Sequence, residues 1–285
     1  MARVAVLGTG RLGSGFVEGL LSRGGTEVVA WNRTRAKAEP LAALGARVVD
    51  SAAEAVIGVD RIHLVLLDDD VVDATIGEIR GSLAKGAILV DHTTTNPDRT
   101  AARAAALDAA GIEYLHAPVM MGPGAARQAK GMMLVAGPSE RFARVRTALS
   151  AMTGELWHVG ERPDLAAAYK LFGNAAILSI AGVVADIMAM ADAAGVERSG
   201  ALEMLTKVNL AGSMAFRGRM MAEGNYETNF TLDVARKDVR LMLETADGAA
   251  VPMLKALAAH MDEAIAAGLG GEDLAVLGRQ VERES

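Results

Sequence analysis

The chain contains no cysteine. Disulfides, thiol catalysis and cysteine-ligated metal are therefore excluded, and the cytoplasm is permitted and expected as its compartment. Aromatic residues are scarce at 4 %, and a hydrophobic content of 51 % comes mostly from Ala, Leu, Val and Met. Such side chains suit tightly packed helices with close backbone approach better than a β-sandwich. A basic excess is lacking as well. The formal net charge is -6 with both signs interspersed, which leaves no basic face for nucleic acid and no polybasic membrane anchor. The longest weakly polar run, Ala175 to Ala185, is too short to span a bilayer, stops at Asp186 and is expected to form a buried helix. The apolar run at the N-terminus is one strand long and breaks at glycines, so it is not read as a signal peptide. No His-Glu spacing suggests a metal site, and none is expected.

What is present starts at residue 4. Val4-Ala5-Val6-Leu7 runs into Gly8-Thr9-Gly10-Arg11-Leu12-Gly13, continues as an amphipathic helix to about Leu21, and reaches a second apolar strand ending at Trp31-Asn32-Arg33-Thr34. Strand, glycine turn, helix and strand follow in the order a dinucleotide site requires. Gly8 permits the tight turn, Gly10 lets the backbone approach a pyrophosphate, and Gly13 lets the helix pack close to the strand. The helix start then offers unpaired N–H groups and a partial positive charge to phosphates. Sites for NAD place Asp or Glu at the end of the second strand to bind the ribose 2′-OH, and a carboxylate there repels a 2′-phosphate. Here Arg33 offers a planar charged fork, and Asn32 and Thr34 can donate to phosphate oxygens. A loop arginine is often just a solvated cation, but the missing acid favours NADP over NAD.

At 285 residues the chain suits two domains. Further strands are predicted near Arg47–Val49, Arg61–Leu66, Ala87–Val90, Ile112–Leu115, Met132–Ala136 and Glu155–Val159, with helices between most of them. That alternation implies an α/β, doubly wound, mostly parallel sheet of Rossmann type over residues 1–162. Ligands on such sheets lie beyond the carboxyl ends of the strands. The loops at Leu67-Asp68-Asp69, Asp91-His92-Thr93-Thr94 and Ala117-Pro118-Val119 should therefore ring one crevice. After Pro163, itself a helix-starting residue, nothing stops a helix until Gly195, so a long helix of about 45 Å is expected. Residues 163–285 read as an all-α domain with breaks near Gly195, Gly212, Gly224–Asn229, Gly248–Pro252 and Gly268–Gly271. With small residues on every face, the long helix cannot bury itself alone and is expected to pack against a second chain, in a homodimer or homotetramer.

Four blocks in order carry a resemblance that covers nearly the whole chain: the Gly8–Gly13 turn with Asn32-Arg33-Thr34; Asp91-His92-Thr93-Thr94-Thr95-Asn96-Pro97; Ala117-Pro118-Val119 with Gly122; and Lys170 with Asn174, followed by Lys237-Asp238. In these the chain resembles the β-hydroxyacid dehydrogenase family, which includes 3-hydroxyisobutyrate dehydrogenases, tartronate semialdehyde reductases and succinic semialdehyde or glyoxylate reductases. The resemblance implies an NADP-dependent reductase or dehydrogenase acting on a small carbonyl or hydroxy compound. It also implies that Thr94 lies near the nicotinamide, that Lys237 reaches the cofactor from the helical domain, and that Lys170 is catalytic; Leu67, in the first of the crevice loops, is expected to contact the cofactor as well.

The residues support that implication. Lys170 and Asn174 are one helical turn apart in a mostly apolar segment, so both point to one side of the helix. Hydride transfer to a carbonyl leaves a developing alkoxide, which an ammonium at hydrogen-bond distance both stabilises and protonates. Lys170 would act as general acid in reduction and general base in oxidation, with Asn174 holding the substrate oxygen or the lysine itself. Burial and the cation Lys237 would lower the Lys170 pKa. An isolated helical lysine is more often solvated, and Lys237 could instead pair with a neighbouring acid. Tyr169, about a hundred degrees away around the helix, reads as packing, and His92 and His116 as structural groups.

One block departs from the family. Where relatives acting on carboxylates have Ala-Pro-Val-Ser-Gly-Gly, this chain has Ala117-Pro118-Val119-Met120-Met121-Gly122. Thioethers replace the Ser and Gly that the family uses to hold a carboxylate, so a larger or more apolar substrate is expected, with at least one Met simply packing under the loop. An imine reductase on the same architecture is the nearest alternative. Its lysine position is commonly Asp or Tyr, so Lys170 argues against it and the two methionines argue for it. A non-catalytic NADP-binding protein is the alternative from another class, and the intact Lys170, Asn174 and Lys237 count against it.

Overall fold

The computed structural model describes residues 2–279. Nine strands form one sheet: β1 (Ala2–Leu7), β2 (Thr26–Trp31), β3 (Arg47–Val48), β4 (Arg61–Leu64), β5 (Ile88–Asp91), β6 (Glu113–His116), β7 (Val119–Met120), β8 (Met132–Ala136) and β9 (Glu155–Gly160). Their order is β3-β2-β1-β4-β5-β6-β8-β7, with β9 also paired to β8. The first six strands pair in parallel, while β6–β8 and β7–β8 are antiparallel. Alternation along β1 shows why the sheet is covered on both faces. Val4 and Val6 join one apolar cluster with Phe16 and Leu20 of the helix Arg11–Arg23, whereas Ala5 and Leu7 join another with Val72 and Ile76 of the helix Asp69–Ile79.

Register places the site. Trp31, Leu7, Leu64, Asp91 and His116 are successive cross-strand partners, so β2, β1, β4, β5 and β6 end in one row. The predicted crevice loops therefore leave the sheet at one edge. β1 lies between β2 and β4, where the chain direction of winding reverses, and this is the switch point at which such sheets bind ligands. The pair Val119–Met120, expected within a loop, forms β7 instead. Its antiparallel register on β8 (Val119 with Met133, Met120 with Met132) comes from tertiary pairing that a two-residue segment does not announce.

The expected long helix runs from Leu165 to Ala193, 29 residues. By length and composition it could cross a membrane. Contrary to the expected burial, it remains largely exposed in a single chain, with Phe172 and Leu178 open to solvent. The chain separates into two compact units between Ala175 and Ala176. Ala166 is buried with Leu134 and Ala136 of β8, which ties the start of the helix to the first unit. The second unit is helical, with helices Arg198–Lys207, Leu210–Glu223, Leu232–Thr245 and Pro252–Ala266. Its core gathers Leu232, Val239, Ala258 and Met261. The break expected at Gly212 falls instead just before Leu210. Asn209 caps the helix by accepting from the Gly212 N–H at 2.9 Å, and a Cβ at Gly212 would lie 2.4 Å from the Asn209 amide, so this glycine admits the cap rather than ending a helix.

Candidate active site

The glycine turn is built tightly. Gly8 has φ +98°, and a Cβ there would meet the Val65 carbonyl oxygen at 2.2 Å; a Cβ on Gly13 would meet the Gly8 oxygen at 1.9 Å. Both positions exclude any side chain. Beside Gly10, by contrast, no heavy atom stands within 4 Å of where a Cβ would be, so that backbone faces open space. Gly10 is also the N-cap of the helix Arg11–Arg23 and offers no side-chain cap, which leaves the first-turn N–H groups available. The Thr9 hydroxyl is buried without a hydrogen-bond partner among the described residues. These are features of a phosphate cradle, and they fit a pyrophosphate.

Asn32 has a task in the turn besides the one its sequence position suggests. Its Oδ1 accepts from the Thr9 N–H at 3.0 Å, and its amide donates to the Thr34 carbonyl at 3.0 Å. With Gly8 N–H donating to the Trp31 carbonyl at 2.8 Å, the glycine turn is tied to the end of β2. Asn32 thus positions the cradle and keeps only one amide hydrogen for a ligand. A cleft of about 530 Å³ brings together the predicted Gly10, Asn32, Arg33, Thr34 and Leu67. Arg35 is engaged by Glu39 and Asp50, whereas Arg33 is exposed and has no ion-pair partner among the described residues. Lys37 lines the same cleft and escaped the sequence reading. It follows Arg33 by four residues, and only the short helical turn Arg35–Lys37 directs it back toward the cleft.

At the crevice, Thr94 is exposed while Asp91, His92, Thr93 and Thr95 are buried around it. Asp91 accepts from the Thr93 N–H and the Tyr114 hydroxyl, both at 2.9 Å, and the Thr93 hydroxyl accepts from the Leu66 N–H at 3.1 Å. Asn96 caps the next helix and gives its own N–H to Asp69 at 2.9 Å. The loop is therefore fixed on both sides of Thr94, which faces outward while Asp91 to Thr93 and Thr95 do not.

Lys170 and Asn174 point together as expected, and the Lys170 ammonium donates to Asn174 Oδ1 at 2.9 Å. It also meets the Met120 sulfur at 3.4 Å. No carboxylate pairs with it among the described residues. Burial alone pulls its pKa down from the ordinary 10.5, since no facing charge offsets the cost of desolvating the ammonium. Gly173 makes room for this contact, because a Cβ there would stand 2.8 Å from the Met120 methyl. The two methionines divide their roles. Met121 packs against the core cluster beside the helix Arg11–Arg23, and Met120 lies against the lysine. Pro118 and Val119 are buried and Gly122 is exposed. The Tyr169 ring lies 5.4 Å from the Trp157 ring, centroid to centroid and tilted by 40°, and both side chains are exposed. Lys237 stands on the helix Leu232–Thr245 of the second unit and pairs with Asp238 at 2.6 Å.

Residues 3–160 match the NAD binding domain of 6-phosphogluconate dehydrogenase. Residues 165–279 match the family described as NAD-binding of NADP-dependent 3-hydroxyisobutyrate dehydrogenase. An uncharacterized oxidoreductase of Bacillus subtilis, YfjR, is 30 % identical over 96 % of this chain and 98 % of its own length. A chloroplastic glyoxylate/succinic semialdehyde reductase 2 of Arabidopsis thaliana is 27 % identical over 86 % of this chain and 69 % of that protein. Among solved structures, an imine reductase from Myxococcus stipitatus in complex with NADP+ superposes with a TM-score of 0.89 at 27 % identity, covering 97 % of this chain and 99 % of the other. A Rossmann-type sheet, an open cradle at Gly10 and full-length kinship lead to one statement: the chain belongs to the β-hydroxyacid dehydrogenase family of NAD(P)-dependent oxidoreductases, the 3-hydroxyisobutyrate dehydrogenase type.

Proposed function

We propose that the protein is an NADPH-dependent reductase of a small carbonyl compound, a semialdehyde or oxo acid, and that it runs in reverse on the hydroxy product. The observation that carries this reading is the Lys170 ammonium, half-buried and held by Asn174 Oδ1 with no acid among the described residues to neutralise it. Gly8, Thr9, Gly10, Arg11, Leu12 and Gly13 would hold the pyrophosphate, and Arg33 with Thr34 and Lys37 the 2′-phosphate. Leu67, Thr94 and Lys237 complete the proposed cofactor contacts, on a dinucleotide domain of residues 1–162 and a helical domain of residues 163–285. NADPH, when bound, supplies the hydride.

The protein's own residues then manage charge and proton. Lys170 Nζ donates a hydrogen bond to the carbonyl oxygen, stabilises the negative charge developing there, and gives up its proton to it. Asn174 Oδ1 accepts from the same nitrogen and fixes its direction. Desolvation weakens the ammonium's hold on that proton, which brings its acidity closer to working pH. Pro118, Val119, Met120 and Gly122 form the proposed substrate wall, with Met121 behind it. In the oxidation direction the neutral amine takes the proton from the alcohol.

A second reading is favoured by one feature. The Met120 thioether faces Lys170 where an anionic substrate would need donors, and the imine reductase from Myxococcus stipitatus shares the architecture. Imine reduction on this chain is therefore the alternative, ahead of a cofactor-binding protein without turnover. Consumption of NADPH with semialdehydes and oxo acids, compared with cyclic imines, decides between them. Faster turnover of the carbonyl set supports the proposal; turnover of imines alone, or stoichiometric binding without turnover, contradicts it. The exposed apolar surface of the helix Leu165–Ala193 supports a homodimer or homotetramer, and the absence of cysteine suits a cytoplasmic site of action.

A further inference from the structure

Two buried histidines and a partly buried arginine beneath the crevice have no part in the chemistry above. The Arg61 Nε–H donates to His63 Nε2 at 2.9 Å, the two histidine rings meet through His63 Nδ1 and His92 Nε2 at 2.8 Å, and His92 Nδ1 meets the Ala117 carbonyl at 2.7 Å. Both rings are fully buried. A carbonyl oxygen can only accept, so His92 must carry its hydrogen on Nδ1, which leaves Nε2 a bare acceptor. His63 must then carry its hydrogen on Nδ1 too, and its Nε2 accepts from the arginine. The polarity of the whole row follows from its two ends. Desolvation keeps both imidazoles neutral, with His92 pulled down to about 4 and His63 well below its ordinary value.

The row ends at the Ala117–Pro118 peptide, whose flanks are tied on both sides: the Ala117 N–H donates to the Asp91 carbonyl at 2.6 Å, and the Pro118 carbonyl accepts from the Leu134 N–H at 3.0 Å. Pro118 has no N–H, so the Ala117–Pro118 peptide can be tied only through its oxygen. That oxygen receives the His92 ring and no backbone N–H among the described residues. Met120, whose sulfur meets Lys170 Nζ at 3.4 Å, comes three residues after Ala117. Phe16, from the helix that opens at the glycine cradle, packs on the His92 ring at a centroid distance of 5.0 Å.

We infer that Arg61, His63 and His92 form a relay of positioning residues: through His92 Nδ1–H they fix the Ala117–Pro118 peptide, and with it the placement of Met120 and the substrate wall against Lys170. The functional consequence rests on the reading that this wall borders the carbonyl substrate. Loss of the relay shifts the wall; no hydrogen bond of the row reaches the glycine cradle, and His92→Leu leaves Phe16 an apolar neighbour, so kcat falls and cofactor affinity stays in place. Misplacement of a reacting group by about 1 Å costs on the order of 100-fold in rate.

Two measurements on the full-length chain test the relay. Long-range 15N–1H correlation spectra of the labelled wild-type protein report the tautomers directly, with His63 and His92 assigned from His63→Asn and His92→Asn variants. Both rings are expected in the Nδ1–H form; an Nε2–H or averaged pattern for either overturns the relay. In the second measurement His92→Asn, whose amide can replace Nδ1–H toward Ala117, is compared with His92→Leu, which cannot. The Asn variant is expected to keep kcat within about threefold, and the Leu variant to lose about tenfold or more at unchanged NADPH affinity. Equal kcat values for the two variants refute the relay. Lys170→Ala run in parallel separates the readings: if it keeps turnover, the assigned chemistry fails, while the tautomers and the Asn-to-Leu contrast still judge the relay.

Discussion

Replacing Arg33 by Ala should change which cofactor the protein prefers. The end of β2 carries no acid, Arg35 is already engaged by Glu39 and Asp50, and Arg33 has no partner among the described residues while lining the cleft with Thr34 and Lys37. A hydrogen bond to a charged group contributes about 1.5 to 3 kcal/mol in sheltered surroundings. Arg33 is exposed, so solvent screening reduces this to about 1 to 2 kcal/mol, or about 5- to 30-fold in kcat/KM. The fall should be confined to NADPH, because NADH has no 2′-phosphate to lose a contact with. Lys37 leaves residual discrimination, and Lys37→Ala in the Arg33→Ala background should remove more of it. The assay is the kcat/KM ratio for NADPH over NADH with one carbonyl substrate at 20 and 200 mM salt. The wild-type ratio should shrink at high salt, as expected for a screened surface contact, and the Arg33→Ala ratio should be smaller and less sensitive to salt. Equal losses with both cofactors would refute the assignment of the 2′-phosphate.

The remaining predictions concern pH. If Lys170 acts as proposed, it must be protonated to reduce a carbonyl and neutral to oxidise an alcohol, and burial lowers its pKa from 10.5. Reductive kcat should therefore fall, and oxidative kcat rise, as pH increases, each through a midpoint below 10.5; initial rates in both directions locate the midpoints, and profiles moving in the same sense contradict the role. His63, His92 and His116 all have pKa values lowered by burial, His92 from 6.5 to about 4. The unfolded chain thus takes up protons that the folded chain refuses, so stability is full above about pH 6.5 and declines as pH falls from there toward 4. His92 alone accounts for about 3 kcal/mol of that decline. Urea midpoints between pH 7.5 and 4.5 should show it, and a flat profile would contradict the burial of neutral histidines.

Much of the dinucleotide half is legible because its signals are local. The apolar run at Val4–Leu7 and the spacing of Gly8, Gly10 and Gly13 appear as β1 and the turn that residue types alone require. The four-residue spacing of Lys170 and Asn174 suffices to place them together, because a helix converts spacing into direction. What escaped depends on residues brought near by the sheet. The Arg61–His63–His92 row crosses from β4 to the end of β5, and only the register of Leu64 with Asp91 makes those side chains neighbours. The contact between Met120 and Lys170 spans 50 residues and needs β7 to pair with β8, which two residues of sequence do not reveal. Asn32 illustrates a subtler limit: its position is readable, but its Oδ1 is directed to the Thr9 N–H rather than outward by a tertiary hydrogen bond.

The central claim is that the Lys170 ammonium protonates the substrate oxygen, and Lys170→Ala tests it most directly. Steady-state NADPH consumption with the best carbonyl substrate should fall by about 10²- to 10⁴-fold, the range for loss of a positioned proton donor, while NADPH affinity measured by fluorescence titration stays unchanged. Turnover within twofold of the wild type, with cofactor bound normally, would contradict the account.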